Sequence, residues 1–588
     1  SPAVRGKKAT MVARSPFYGT GMILITNVFP SSRSSQLSMI RKNLIIAATL
    51  IAVMPGVVLS QQPAQPASDP VIARIRAIGM DSSMTERLAE QLFDSVGPRL
   101  TGSPDAKRGN DWLVRTYKSW GIDARNEKVG TWRGWRRGYS HIDLIAPRVR
   151  SLEGTMLGYS PGTGKRDLMS TTVILPRFTD SAEFVKWLPS AKGKFVLVSA
   201  PQPTCRPSED WQQSALPESK ARMDSLRAAV RAEWSGRNVR GTGYSLAIGT
   251  GELGMRLEKA GVAAVITSRP KDAWGTIEIF ETYNTKAPAI ALSCEDYGLV
   301  YRLTANGQHP RITMNLDAQL LGELPSYNTI AMIRGTEKPD EYVMLSAHFD
   351  SWDGSSGATD NGTGTLTMME AMRILRQVYP RPKRTILVGH WTGEEEGEVG
   401  SKAFTEDHPE VLKGLQALFN QDNGTGRIAS LGAGGLPNAA EHIGRWLAVI
   451  PTDFSGALSF RGTSFPAGGG SDDFSFGCNG LPAFGLNSLN WNYFNYTWHT
   501  NRDTYDKIVF DDLKWNATLT AMLAYLASED PTLITRERVD LAAAAAAARP
   551  TASDSAARAA AGRRGGRGAP TTWPVCVKAA RVTEPRLK

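Results

Sequence analysis

The chain has 588 residues, of which 41% are hydrophobic, and a formal net charge of +11. It is too long for one ordinary domain and apolar enough to bury at least one sizeable core, so two domains with dispensable ends are expected. The charge does not mark a nucleic-acid binder: residues 1–60 hold seven basic and no acidic residues and 549–588 hold nine against two, so each end contributes +7 and residues 61–548 carry −3. A basic footprint on the folded body is what nucleic acid would require.

In chain order, residues 1–38 are rich in Ser, Arg and Gly and resemble no folding segment; an over-called start, with Met39 as the real one, explains them. Met39-Ile-Arg-Lys-Asn followed by the apolar run Leu44 to Leu59 has the charged and apolar regions of a secretory signal, with Val58 and Ser60 small enough for cleavage near Ser60. The competing reading is a membrane anchor, but the run has 16 residues and contains Pro55 and Gly56, short for a span. The expectation is an exported protein, periplasmic or secreted, with no stable membrane anchor. Export permits disulfides, and Cys205, Cys294, Cys478 and Cys576 allow three complete pairings that the spacing does not separate. They are too scattered for a zinc–cysteine cluster.

Residues 61–69 read as a Gln/Pro/Ala linker, and a helical pattern from Val71 through Phe93 opens the folded body, whose first part spans 70–164. From 165 to 310 the runs KFVLVSA, VAAVITS and APAIALS and the helix GELGMRLEKAG read as a smaller inserted unit. From 311 to 530 short β-rich runs alternate with helical patterns: YVMLSA, TLTMMEAMRILRQV, TILVGHW, a helix, LQALFN. That alternation predicts an α/β domain with a mostly parallel central sheet flanked by helices. Residues 531–588, with seven alanines after Leu541 and a Gly/Arg/Ala/Ser stretch, read as a low-complexity basic tail, so the folded part is expected to end near Asp530.

Five short segments place metal-type side chains after a predicted strand or at a helix start, where an open α/β sheet gathers them in one crevice. Ser346-Ala347-His348-Phe349-Asp350 follows YVMLSA; neutral imidazole is a zinc ligand, and Asp350 could accept its other ring N–H. Taken singly, a His-x-Asp at a strand end is more often structural. Asp360, in Gly357-Ala358-Thr359-Asp360-Asn361-Gly362, sits among small residues that let the backbone turn tightly; singly it reads as a helix cap. Glu394, Glu395 and Glu396 follow TILVGHW, and adjacent acids there point different ways, so one can bind metal while its neighbour serves as base. Asp422 in Gln-Asp-Asn-Gly is singly an ordinary turn, and His499 lies in a polar loop ahead of a helix. The bland reading of each fails for all five together.

The order His-x-Asp, Asp-Asn-Gly-x-Gly, Glu-Glu-x-Gly-x-x-Gly-Ser, Asp, His-Thr-x-x-Asp-Thr-x-Asp-Lys resembles the co-catalytic di-zinc aminopeptidase family and its plasma glutamate carboxypeptidase-like relatives, over roughly 70–530. The resemblance implies two zinc ions: Asp360 bridging, His348 and Asp422 completing one site, Glu395 and His499 the other, and Glu394 as general base. It also implies that the β-rich insert at 165–310 is a protease-associated domain and that Asp472 or Asp473 holds a substrate amine. Trp498 stands where the family often has tyrosine, leaving an indole N–H toward substrate. The implied activity is hydrolysis of a peptide substrate, with an aminopeptidase as the leading branch and a homodimer left open. Carboxypeptidase or dipeptidase action is the first alternative. A glutaminyl-cyclase-like transferase would keep one zinc, and a non-catalytic receptor-like member would have lost ligands, whereas all five are retained here.

Overall fold

A computed structural model describes residues 69–235, 251–547 and 570–583. The expected signal, residues 61–68 of the linker, and residues 548–569 and 584–588 of the basic tail lie outside the described residues. Helix α1, Pro70–Asp81, is capped by the Asp69 side chain, which accepts from Val71 N and Ile72 N, with proline in its first turn. The pattern expected as one helix to Phe93 breaks after Asp81 and resumes as Thr85–Ala89 and Glu90–Val96.

The chain forms a 12-stranded sheet. Besides a short edge pair at Arg150–Ser151, its strands are β1 Asp123–Ala146, β2 Gly154–Met156, β3 Leu168–Ile174, β4 Phe195–Leu197, β5 Ala264–Thr267, β6 Ala289–Leu292, β7 Arg311–Ile333, β8 Lys338–His348, β9 Arg384–Trp391, β10 Leu415–Asn420 and β11 Ala483–Gly485. The order is β11-β10-β8-β9-β7-β3-β4-β5-β6-β2, with β1 lying antiparallel along β7. Strands β11, β10, β8 and β9 are mutually parallel, as are β3 to β6. The long β1–β7 ribbon therefore joins two parallel blocks, one formed within residues 338–485 and one within residues 168–292. The expected α/β class holds. The insert carries helices among its strands, because parallel neighbours need crossover connections.

Every residue of β9 and β10 is buried. This follows from coverage on both faces, which demands near-continuous apolar runs. One face is covered by α2, Thr363–Val378, and α3, Phe510–Glu529, whose Met368, Met372, Leu519 and Leu523 share a core with Val343, Leu345 and Phe419.

The fold continues past the end expected at Asp530. Ile534 is 2% exposed and its N–H donates to Gln416, Trp573 packs on the main core, and Thr131 N donates to Arg581 O at 2.9 Å. Arg581 also binds Glu406 and Asp407 at 2.9 and 2.8 Å. A low-complexity stretch predicts a tail because it cannot build its own core, but a few anchors suffice to lay a strap on an existing one. Cysteines pair as 205–294 and 478–576. The second pair ties this strap down across a sequence separation of 98. Replacing Cys478 and Cys576 together by alanine is expected to cost about 2–5 kcal/mol, read as a lowered urea midpoint; an unchanged midpoint would show that the strap contributes nothing.

Candidate metal centre

Register brings the functional strand ends together: Trp391 pairs with His348 and Asn420 with Ser346, so β8, β9 and β10 finish almost flush. His348 closes β8, the acidic triplet follows β9 and Asp422 follows β10. Ser346 Oγ ties the ends laterally, donating to Asn420 Oδ1 at 2.7 Å and accepting from Trp391 Nε1 at 2.8 Å.

Asp360 sits in the tight turn Ala358–Gly362 between β8 and α2. Asp503 holds that turn by accepting from Thr359 N and Asp360 N at 2.8 and 3.0 Å. Asn361 Nδ2 donates to Gln421 O at 2.8 Å, lashing the turn to the Asp422 loop. At Gly364 a Cβ would stand 2.2 Å from Asn361 Oδ1 and 2.4 Å from Gln421 O, so the close approach requires glycine. His499 arrives from a loop with left-handed backbone, φ 59°, and its carbonyl accepts from Ile279 N of the insert at 2.7 Å. Phe280 meets the His499 ring edge-on at 5.1 Å. The insert thus buttresses this ligand loop.

Two nests result. His348, Glu394 and Asp422 converge in one, and Asp360, Glu395 and His499 in the other, with donor atoms of each set within 4.8 Å of one another. His348 Nε2 is 3.2 Å from Asp422 Oδ1 and 3.9 Å from Glu394 Oε2. His499 Nε2 is 2.8 Å from Glu395 Oε2. Asp360 faces both imidazoles, Oδ1 at 3.5 Å from His348 Nε2 and Oδ2 at 3.1 Å from His499 Nε2. The triplet divides three ways, since Glu396 turns back to accept from Tyr159 Oη at 2.8 Å.

The donor set fits divalent cations. Four carboxyl groups face two imidazoles, and buried charge of one sign has to be compensated. Glu395 Oε1 is enclosed without a hydrogen-bond partner among the described residues. Burial opposes charge on His348, but Asp422 and Glu394 lift its pKa well above the usual range. Burial likewise opposes charge on His499, which Glu395 and Asp360 raise to about 10. Desolvation pushes Glu395 up to about 7 and Glu394 well above the carboxylate range, with Asp422 and Asp472 adding to the latter. Desolvation also acts on Asp360, yet the two imidazoles hold it below its usual value. Imidazole and carboxylate are the ligands zinc favours.

The remaining predicted residues divide. Asp350 does not orient the His348 ring through its carboxylate as expected: Nδ1 lies 3.0 Å from the Asp350 backbone carbonyl oxygen and 3.7 Å from Oδ1. The carboxylate instead accepts from Glu394 N and Glu395 N, both at 3.2 Å, and aims the triplet. The tight turn after β8 swings the carbonyl, rather than the side chain, under the ring. Asp472 is fully enclosed, 0% exposed, and burial drives its pKa well up. Asp473 lines a cavity of about 520 Å³ that Asp422 also borders, and desolvation raises it to about 7. Trp498 stacks on His499 at 3.8 Å with Lys271 over its face at 4.3 Å. His390 is packed, 2.7 Å from Tyr117 Oη.

Sequence reasoning missed Arg99, Asp503 as the support of the Asp360 turn, and Tyr159. Asp503 had a signal, as a fixed acid in the His499 motif. Arg99 had none, because an arginine beside Gly97 and Pro98 reads as a solvated turn.

A parallel α/β crevice with two imidazole–carboxylate nests is the donor arrangement of a metalloenzyme centre. Residues 328–524, the segment that carries every candidate ligand, match the model of peptidase family M28. Carboxypeptidase Q of Bos taurus is 25% identical over 454 residues, covering 77% of this chain and 86% of the relative. Carboxypeptidase Q of Homo sapiens is 24% identical over 455 residues, covering 77% and 86%. Among solved structures, a peptidase M28 precursor from Shewanella amazonensis SB2B superposes with a TM-score of 0.57 at 25% identity, covering 79% of this chain and 97% of that one.

Proposed function

We propose that the chain is an exported exopeptidase that works with two zinc ions, the first nest and the second each holding one and Asp360 joining them. The observation that carries this reading is the position of Asp360, with one oxygen toward each imidazole. When bound, the ions supply Lewis-acid polarisation of the scissile carbonyl and a water acidic enough to attack at neutral pH. Glu394 takes the proton of the attacking water and passes it to the leaving amine. Asp350 fixes the backbone of Glu394 and Glu395, and Trp498 with Phe280 shields the outer face of His499 from water.

The leading branch is an aminopeptidase, with Asp473 on the cavity wall as the group for the substrate's α-amino nitrogen. The relatives named carboxypeptidase Q favour a second reading, carboxypeptidase or dipeptidase action. Export rests on residues 39–60 and agrees with the two disulfides; among the described residues no helix is long and apolar enough to cross a membrane. The 165–310 insert serves, in this reading, as the protease-associated unit.

Metal analysis of the purified protein tests the core of the proposal. Two zinc per chain are expected, with hydrolysis of aminoacyl-nitroanilides lost in a chelator and restored by zinc; a folded protein that binds no zinc ends it. N-terminally blocked dipeptides then separate the branches, since their cleavage would overturn the aminopeptidase reading.

A further inference from the structure

The cavity beside Asp422 carries charge of both signs on its wall. Its lining includes Asp422, Asp473, Asn420, Asn487, Ser464 and Arg461. Arg461 is the one basic residue in that lining. It follows the short strand Ser459–Phe460, and its backbone N–H is committed to Leu431 O at 2.9 Å. Among the described residues its guanidinium makes no hydrogen bond and no ion pair, and it forms no pair with Asp473 although both line the same space.

Arg461 is exposed, so its guanidinium is solvated and free to meet a ligand in the cavity it lines. The neighbouring centre is dense in carboxylates, and other arginines near it are engaged: Arg99 binds four backbone carbonyls and Arg137 is paired with Asp353. A guanidinium offers a planar fork of donors matched to carboxylate. Along the wall of this cavity Asp422 and Asp473 repel an anionic group and Arg461 alone attracts it, so the position of a substrate carboxylate is set by that one cation. The lining mixes asparagines and serines with Phe465, Ala467, Ala483 and Leu486, so it accommodates a charged group together with the carbon chain that carries it. A cavity of about 520 Å³ is of the size that holds a small ligand or one to two residues.

We infer that Arg461 is a specificity-determining residue that receives a carboxylate of the substrate in the cavity next to Asp422, so that the preferred substrates are small peptides carrying a negative charge beside the scissile bond. This rests on the exopeptidase reading above. The carboxylate has two sources, an acidic side chain or the free C-terminus of a dipeptide. With Asp473 on the same wall for an amine, the cavity is matched to a zwitterion.

The test compares wild type, Arg461→Gln and Arg461→Lys on two pairs of probes, Glu- against Gln-nitroanilide and Ala-Ala against Ala-Ala-amide. In wild type each ratio of kcat/KM reports the value of one carboxylate. Arg461→Gln is expected to lower one of the two ratios by about ten- to a hundredfold, mainly through KM, with Arg461→Lys recovering part of it. A fall in the first ratio identifies the side chain as the source, and a fall in the second identifies the C-terminus. Both ratios within twofold of wild type overturn the inference. Calorimetric binding of Ala-Glu and Ala-Gln-amide to Glu394→Gln, with and without Arg461→Gln, keeps this separate from turnover: if wild type hydrolyses nothing, the peptidase reading fails, while Arg461 is still judged by whether its loss removes the preference for Ala-Glu.

Discussion

Glu394→Gln is expected to lower kcat by about 10²–10⁴-fold while zinc content, fold and substrate binding are retained. The amide keeps the volume and the backbone hydrogen bond to Asp350 Oδ1 at 3.2 Å, but it cannot accept the proton of the attacking water. Glu394 Oε2 lies 3.9 Å from His348 Nε2, farther than Asp422 Oδ1 at 3.2 Å. This spacing supports the proposed division, with Asp422 as the first nest's carboxylate ligand and Glu394 as the base. The measurement is kcat with metal content on the same sample. Loss of one zinc equivalent together with activity would mean that Glu394 is a ligand, and the roles of Glu394 and Asp422 would have to be reassigned. Full activity in the variant would remove Glu394 from the chemistry.

Arg99→Ala is expected to destabilise the protein by at least about 3 kcal/mol and to weaken zinc binding. Arg99 is 0% exposed. Its guanidinium donates to Phe349 O at 2.7 Å, Gly97 O at 3.0 Å, Ser356 O at 2.6 Å and Gly357 O at 2.9 Å. Truncation removes the Arg99 donor from all four carbonyls, of which Gly357 O keeps Gly362 N at 3.1 Å, and three of them belong to the segment that runs from His348 to the Asp360 turn. Burial lowers the Arg99 pKa to about 10, against the pull of Asp503 and Asp350, so it stays charged at neutral pH and also offsets the acidic centre. Arg99→Lys is expected to recover little, since an ammonium cannot span carbonyls arranged for a planar fork. Urea unfolding and zinc titration read the two effects separately. A variant with wild-type midpoint and affinity would show that the segment is held by its other contacts.

The α/β alternation and the five candidate ligand segments were legible because each is local. A buried parallel strand is an apolar run, and a ligand loop has small residues around a donor. His348, Asp360, Glu395, Asp422 and His499 could be grouped before any coordinates because strand ends of one parallel sheet have only one edge on which to meet. The direction of each acid in the triplet follows from the backbone only once Asp350 and Tyr159 are in place.

What the sequence by itself determined, then, was the chemistry available and the edge of the sheet where it gathers. The tertiary structure alone decided which carboxylate faces which imidazole, that Arg99 and Asp503 hold the turn between them, that residues 570–583 return to the body, and that Arg461 and Asp473 line one cavity without pairing. The physical reason is range. Propensity and periodicity act over a few residues, whereas the His348–Asp422, Thr359–Asp503, Arg99–Gly357 and Arg133–Thr583 contacts join residues 74, 144, 258 and 450 apart in the chain and exist only after register and packing have been fixed.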